Sequence, residues 1–329
     1  MSSSDAWLPR RVLVGFDGSE GGRDAVALAA ALAEADAEFL LVDVIPPVGI
    51  VAMHPRRLED EEPPQSEGFF VEGLEELTGR RVETRTYVAN SAAHVLTEIA
   101  ADEGFDLIAI GPCYPGVIGR ILLGSVGNGL MHGAAAPVVA APRGYADREH
   151  RPIRQVAVAY DGSPEAREAV AHAEALAHRH SAHLRLLTVD VRQTTLPGVI
   201  GWEPKDSPTP DEILDAGLAA VSPETEVDGR CIGGGSIAAT LAEYCAQGVD
   251  LLVVGSRGYG TLGRVLAGSV ATGLLHRAAC PVLAVPRPRV APAEGDLGTA
   301  PELVSSRPPR QRRQRTDGVA SVAAKDDSA

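Results

Sequence analysis

Short apolar runs alternate with longer Ala-rich segments along most of this 329-residue chain. The clearest runs are uninterrupted by charge, which is typical of a parallel strand buried on both faces. In the first part of the chain they predict five strands, at 12–16, Glu38–Ile45, Val82–Val88, 106–111 and 138–141. Helices are predicted between the strands, at 19–35, 69–78, 91–103 and Ser125–Gly133. A polar, Pro-rich loop is expected at 49–66.

The same order of elements occurs twice. The segment VLVGFDGS at 12–19 reappears 144 residues later as VAVAYDGS at 156–163. With the same offset, 111–143 aligns with 255–287 without a gap, and 18 of the 33 positions are identical. Self-similarity on this scale indicates two homologous halves.

Strands that alternate with helices predict an α/β fold. We expect two tandem doubly wound domains, each with a five-stranded parallel sheet in the Rossmann-like strand order 3-2-1-4-5. The predicted domains are 8–144 and 152–287, with a variable loop at 192–209 in the second. Residues 288–329 mix Pro, Ala and charge and are expected to form a disordered tail. The ligand crevice of such a domain lies between its strands 1 and 4.

A glycine-rich loop follows the fourth strand of the second half and ends at Gly268-Ser269. Its backbone amides and the helix N-terminus that follows can bind phosphate, while Ser269 can cap that helix or donate its hydroxyl. A tight turn with an ordinary N-cap explains these residues equally well. The string GYGTLG at 258–263 matches the dinucleotide pattern, but no acidic residue lies between Arg264 and Ala293 to bind a ribose. This argues against a nicotinamide or flavin dehydrogenase.

Taken together, these features resemble tandem members of the universal stress protein family, over residues 10–143 and 154–287. The nucleotide-binding branch of that family carries Gly, two residues, Gly, nine residues and then Gly-Ser or Gly-Thr. Gly255, Gly258 and Gly268-Ser269 match this spacing in full. The resemblance implies that the second half binds ATP or a related adenine nucleotide, with Mg²⁺ as an accompanying cation.

The resemblance also assigns roles within the second half. It places Asp161 and Val189 near the base and ribose, and the loop amides, Ser256 and Ser269 on the phosphates. We add Arg257 and Arg264 of the loop as candidate cationic partners of the phosphates. A solvated position on the surface accounts for both arginines equally well. The predicted nucleotide site comprises Asp161, Gly162, Val189, Gly255, Ser256, Arg257, Gly258, Arg264, Gly268, Ser269 and Val270.

The first half departs from this signature. Tyr114 stands where the second half has Gly258, Pro112 removes an amide donor, and Cys113 replaces Arg257. What remains is a degenerate site of Asp17, Val44, Gly111, Gly124 and Ser125. We therefore expect one competent nucleotide site per chain, in the second half.

The aspartates after the first strands, the histidines and the cysteines have simple structural explanations. An Asp-Gly-Ser turn with a serine cap accounts for Asp17 and Asp161 as well as a ligand contact does. The histidines between 172 and 183 do not place three side chains on one helical face, so no metal site is expected. The four cysteines show no CxxC or zinc-finger spacing, which favours a reduced cytosolic setting.

The formal charge of −14 argues against general nucleic-acid binding, because the phosphate backbone would repel such a protein. For the Arg-rich segment 307–315, a solvated tail is favoured over a nucleic-acid, membrane or acidic-partner site. Neither a secretion signal nor a membrane span is recognisable, so we expect a cytoplasmic protein.

We expect a regulatory or sensor module of the stress response rather than an enzyme, since no catalytic residue can be identified. The alternatives are a nucleotide-independent scaffold and a slow ATPase or phosphotransferase. The resemblance implies that the two domains pair within the chain through their last strands. A homodimer of whole chains and an unidentified protein partner stay open.

Overall fold

A computed structural model describes residues 7–47, 79–112, 119–121, 124–148, 152–191, 208–256 and 269–286, together with the backbone at 56 and 57. The helix predicted at 69–78, most of the variable loop at 192–209 and the tail at 288–329 lie outside these residues. The described residues of both halves belong to one compact unit.

The described elements alternate between strand and helix, as predicted. The strands are β1 (Arg11–Gly15), β2 (Glu38–Ile45), β3 (Arg56–Arg57), β4 (Val82–Val88), β5 (Leu107–Ile110), β6 (Val138–Ala140), β7 (Gln155–Ala159), β8 (His183–Asp190), β9 (Val227–Gly233), β10 (Leu251–Gly255) and β11 (Val282–Val285). The helices are α1 (Glu20–Leu32), α2 (Ala92–Glu103), α3 (Ser125–Gly133), α4 (Pro164–His180), α5 (Pro210–Ala220), α6 (Ile237–Cys245) and α7 (Ser269–Leu274).

The strands form one sheet in the order β3-β4-β2-β1-β5-β6-β11-β10-β7-β8-β9. Apart from β3, the strands of each half run parallel in the order 3-2-1-4-5, so the predicted α/β class and strand order are confirmed. β3 is an addition, because it pairs antiparallel with β4, with Arg56 opposite Val88, where only a loop was expected.

Antiparallel pairing of β6 with β11 joins the two halves. Val139 lies opposite Leu283 at the centre of this pair, and both side chains are fully buried. Because one strand runs against the other, the strands of the two halves point in opposite directions along the sheet.

Helices cover both faces of the sheet, which explains why its strands carry continuous apolar runs. Alternate residues of a strand point to opposite faces, and in β10 Leu252 and Val254 join the core beneath α2, α3, α6 and α7. Leu251 and Val253 join the core beneath α1, α4 and α5. None of the described helices has both the length and the apolar character needed to cross a membrane.

The end of α1 differs from expectation. The helix was predicted to continue to about Ala35, but it ends at Leu32. The Arg80 guanidinium, which is distant in sequence, donates hydrogen bonds to carbonyl groups at the end of this helix and just beyond it. These carbonyls belong to Ala30, Ala33, Glu34 and Ala35. Carbonyls at a helix end need such partners, and a cation there also suits the helix dipole.

The connection between the halves is tied to α1 by a buried carboxylate. Asp24 is 2% exposed, and its two oxygens accept hydrogen bonds from the backbone amides of Gly144 and Ala146, both at 2.8 Å. Burial raises the pKa of Asp24, and the backbone hydrogen bonds oppose that rise. The corresponding residue of the second half is Glu168, which is only partly buried.

The substitution Asp24→Ala leaves both amides without their acceptor. We expect it to lower the free energy of unfolding by about 2–4 kcal/mol, measured by urea denaturation. The matched substitution Glu168→Ala should cost less than about 1 kcal/mol. Equal losses at the two positions would contradict the role given to Asp24.

The raised pKa of Asp24 also gives a pH dependence. The folded protein keeps the proton of this carboxyl to a higher pH than the unfolded chain does, so its contribution to stability falls as the pH rises through its titration range. The stability difference between the wild-type protein and Asp24→Ala should therefore be larger in acid than at neutral pH. Denaturation curves at several pH values test this, and a difference that grows towards neutral pH contradicts it.

Candidate functional site

The candidate crevice lies where two neighbouring parallel strands of the second half end. β7 pairs with β10, with Val158 opposite Val253. Asp161 and Gly162 follow β7, while Gly255 ends β10. The structure therefore brings these three predicted site residues to the carboxyl ends of adjacent strands, where ligands of such sheets bind.

Asp161 has a structural role at this position. Its Oδ1 accepts a hydrogen bond from the Ser163 amide at 3.0 Å, and the Ser163 hydroxyl accepts one from the Ala166 amide at 3.1 Å. These bonds close a turn and cap α4, and Gly162 adopts a positive φ of 79° within the turn. The exposed Asp161 side chain keeps its other oxygen, Oδ2, without a hydrogen bond from the described residues.

The first half repeats this turn. Asp17 Oδ1 accepts from the Ser19 amide at 3.1 Å, and the Ser19 hydroxyl accepts from the Gly22 amide at 3.2 Å. Gly18 adopts a φ of 75°, close to that of Gly162. The turn alone therefore explains the shared Asp-Gly-Ser sequence, without any ligand contact of the carboxylate.

Glycine at the end of the fourth strand is explained by the approach of a helix. A Cβ atom at Gly255 would lie 2.9 Å from the Glu165 Cβ in the first turn of α4, which is too close for any side chain. Glu165 itself is 3% exposed. This buried glutamate is not among the predicted site residues. Its position near the start of a helix beside the crevice is the only feature of the sequence that could have indicated it.

The first half is packed more tightly at the same place. Gly21 stands in the position of Glu165, and α1 lies so close that a Cβ atom at Gly111 would overlap the Gly21 carbonyl. A Cβ atom at Gly21 would lie 2.6 Å from the Pro112 carbonyl oxygen. The two crevices thus differ in backbone packing as well as in their loop sequences.

Several other predicted residues fall on described elements. Val189 near the end of β8 and Val44 near the end of β2 are half-buried and pack against the core. Ser256 is 6% exposed, and its amide donates to the Val285 carbonyl at 2.8 Å. Val270, on the short helix α7, is half-buried.

The remaining predictions can be located only in part. Gly124 is the extended N-cap residue of α3, which begins at Ser125, and no side chain caps this helix. Ser269 begins α7. Arg257, Gly258, Arg264 and Gly268 lie outside the described residues, as do Cys113 and Tyr114 of the first half.

Part of the repeated loop sequence is explained by helix packing. A Cβ atom at Gly129 would lie 2.5 Å from the Ala93 Cβ, and one at Gly273 would lie 2.7 Å from the Ala238 Cβ. In each half the helix after the loop therefore packs closely against the preceding helix. These two glycines belong to the packing of the helices rather than to a ligand site.

Two of the histidines on α4, His172 and His178, make ordinary contacts. The ring of His172 lies 4.2 Å from that of Trp7, and burial lowers the His172 pKa. His178 Nε2 lies 2.7 Å from the Thr225 hydroxyl. Within the described residues, no group of three His, Cys, Asp or Glu side chains is arranged to hold a metal ion.

Comparison with known proteins identifies the family. The model of the universal stress protein family matches residues 9–142 and again 152–286. A universal stress protein of Mycolicibacterium smegmatis is 32% identical over 295 residues, covering 84% of this chain and 97% of that protein. A universal stress protein of Thermus aquaticus, encoded in the 3′ region of a QAH/OAS sulfhydrylase, is 33% identical over 139 residues, covering 40% of this chain and 98% of its own.

A solved structure shows the same fold. The universal stress protein from Archaeoglobus fulgidus superposes with a TM-score of 0.58 at 19% identity, covering 86% of this chain and 100% of its own. The two matches to the family model, one in each half, agree with the internal repeat and with the duplicated strand order. The chain therefore belongs to the universal stress protein family and is a tandem member of it.

Proposed function

We propose that the second half binds an adenine nucleotide, ATP in the first instance, and that the protein acts as a nucleotide-dependent regulatory module in the stress response. The observation that carries the proposal is the pairing of a complete glycine signature with an available carboxylate. The signature begins at Gly255 at the end of β10, and Asp161, whose Oδ2 accepts no hydrogen bond from the described residues, follows neighbouring β7.

In this proposal the residues divide between the two ends of the nucleotide. Asp161 Oδ2 accepts a hydrogen bond from the adenine or ribose, with Gly162 beside it and Val189 in apolar contact. The phosphates are bound by amides of the loop that begins at Gly255, by the Ser256 and Ser269 hydroxyls and by the loop arginines. Mg²⁺ would accompany the phosphates and offset their charge.

The proposal assigns one nucleotide to each chain. The loop of the first half has Tyr114 where the second half has Gly258, and Cys113 where the second half has Arg257. The close contact between Gly21 and Gly111 in the first half supports the same conclusion, because α1 lies directly against the start of that loop.

A scaffold that does not respond to nucleotide is the first alternative, and the eroded loop of the first half is the observation that favours it. The second is a slow ATPase or phosphotransferase, for which no general base can be named. A regulatory module acts through another molecule, so the proposal includes a protein partner whose identity the sequence does not indicate. A homodimer of whole chains and a cytoplasmic location are part of the same proposal.

Substitution of the glycine before Ser269 should abolish nucleotide binding. In Gly268→Val, the added side chain occupies the space where a phosphate approaches the backbone. We expect titration calorimetry to give one ATP per wild-type chain, no binding to Gly268→Val and unchanged binding to the matched Gly124→Val. Circular dichroism checks that both variants fold. Two equivalent sites per chain, or binding that Gly268→Val leaves intact, argues against the proposal.

Asp161→Asn separates the turn from ligand binding. Asparagine keeps an oxygen for the Ser163 amide, so the melting temperature should change little. Loss of a charge-assisted hydrogen bond should weaken ATP binding by about tenfold or more. The control Asp17→Asn, which alters the same turn in the first half, should leave affinity unchanged. If both variants bind ATP like the wild-type protein, Asp161 has no ligand role.

Phosphate release distinguishes the enzymatic alternative. The regulatory module should release phosphate from saturating ATP and Mg²⁺ only at trace rates, measured by a coupled colorimetric assay. Steady turnover that disappears in Gly268→Val would assign an ATPase or phosphotransferase activity to the second half.

A further inference from the structure

A cavity lies at the end of the second-half sheet opposite the candidate crevice. It has a volume of about 570 Å³, within the range of small-molecule sites. Its lining includes Arg154, Gln155, His183, Arg185 and Asp250. These residues precede or begin β7, β8 and β10, whereas the nucleotide crevice lies where β7 and β10 end. Because β7 has five residues, roughly 17 Å separates its two ends.

The first half fills the same place with its own side chains. There the Arg11 guanidinium lies 4.8 Å from the centre of the Phe105 ring and donates a hydrogen bond to the Glu103 carbonyl. Its Nε also lies 3.4 Å from a Glu38 carboxylate oxygen. Arg11 thus closes the space between the start of β1 and the end of α2.

The two places correspond residue by residue. Asp106 accepts hydrogen bonds from the backbone amides of Arg10 and Arg11, and Asp250 does the same for Arg154 and Gln155. Gln155 therefore stands in the position of Arg11.

Three substitutions open the cavity in the second half. Gln155 lies opposite His183 as Arg11 lies opposite Glu38, so histidine replaces the glutamate. Val249, just before Asp250, replaces the Phe105 ring. The second half has thus lost the guanidinium and the ring that pack together in the first half, and the exposed Glu38 carboxylate that pairs with the guanidinium.

The cavity wall offers donors that are held in place. Arg185 Nε and Nη2 donate to the Asp228 carboxylate at 2.6 and 2.7 Å, and its Nη1 donates to the Tyr244 hydroxyl at 2.9 Å. These three bonds leave two guanidinium N–H groups uncommitted. The exposed Arg154 guanidinium has no hydrogen-bond or ion-pair partner among the described residues.

One acceptor also lines the cavity. Asp250 Oδ2 accepts from the amides of Arg154 and Gln155 at 2.8 and 2.9 Å, which leaves Oδ1 without a hydrogen bond from the described residues. The Asp228 carboxylate offsets the charge of Arg185, and backbone amides partly offset that of Asp250, so Arg154 is the cation of this cavity without a carboxylate partner among the described residues. This balance favours an anionic group, and the acceptor suits a hydroxyl group on the same molecule.

We propose that this cavity binds a small hydroxylated organic anion. Its carboxylate or phosphate would be held by Arg154 and by the free N–H groups of Arg185, with Gln155 as a further donor. A hydroxyl group would donate to Asp250 Oδ1. The site is separate from the nucleotide crevice and does not depend on nucleotide binding.

Calorimetric titration with citrate and with ribose 5-phosphate, at low ionic strength, tests the proposal. The two probes distinguish a carboxylate from a phosphate as the recognised anion. We expect saturable binding of at least one probe, weakened about tenfold or more by Arg154→Gln. The matched control Arg10→Gln, in the first half, should bind the probe as the wild-type protein does.

A second set of variants fills the cavity. The triple substitution Gln155→Arg, His183→Glu and Val249→Phe recreates the first-half set, in which the carboxylate neutralises the added guanidinium, and should abolish probe binding while leaving ATP affinity unchanged. Thermal melting checks its folding, and the single substitution Gln155→Phe, which adds bulk without charge and should weaken binding, serves if the triple variant does not fold. The proposal is overturned if neither probe binds saturably, if binding survives filling of the cavity, or if ATP displaces the probe and Gly268→Val abolishes it.

Discussion

The antiparallel pairing of β6 with β11 is the contact on which the rest of the molecule depends. Each strand is short and fully buried, and if left unpaired it would expose a row of apolar side chains and free backbone groups. Because both strands belong to one chain, their pairing carries no entropy cost of association. It also sets the direction of each half, so that the carboxyl ends of the first-half strands lie at the same end of the sheet as the amino ends of the second-half strands.

This arrangement explains how the two halves could diverge in complementary ways. The first-half crevice, which α1 approaches closely, lies at one end of the sheet. The second-half cavity, where the guanidinium, ring and carboxylate of the first half are replaced, lies at the same end. At the other end lie the second-half crevice with its complete glycine signature and the place that Arg11 fills in the first half. Where its strands begin, the second half thus has a cavity and the first half has the contact of Arg11 with Phe105, while the shared core keeps both halves folded.

The sequence predicted those features of the fold that depend on residues close together in the chain. β2, β4 and α3 have the predicted bounds, because apolar runs, caps and glycines mark where an element begins and ends. The doubly wound class predicted the strand order, and the repeat indicated that the same order applies to both halves. The early end of α1 was not predictable, because the arginine that holds its last carbonyls is distant in the chain. Buried Glu165 and the filling of space by Arg11 were missed for the same reason, since both depend on contacts between separate elements.

The Asp-Gly-Ser turn shows why one half can keep its fold after its loop has lost the nucleotide signature. One oxygen of Asp17 or Asp161 is committed to the turn that starts the first helix, and this bond persists whatever the loop after the fourth strand contains. The other oxygen can serve a ligand only while that loop supplies amides for the phosphates. The first half has lost the glycine signature and yet keeps the turn, the cap and the strand order. Under the proposed function, a duplicated chain can for this reason keep a nucleotide site in its second half and use its first half as structural support.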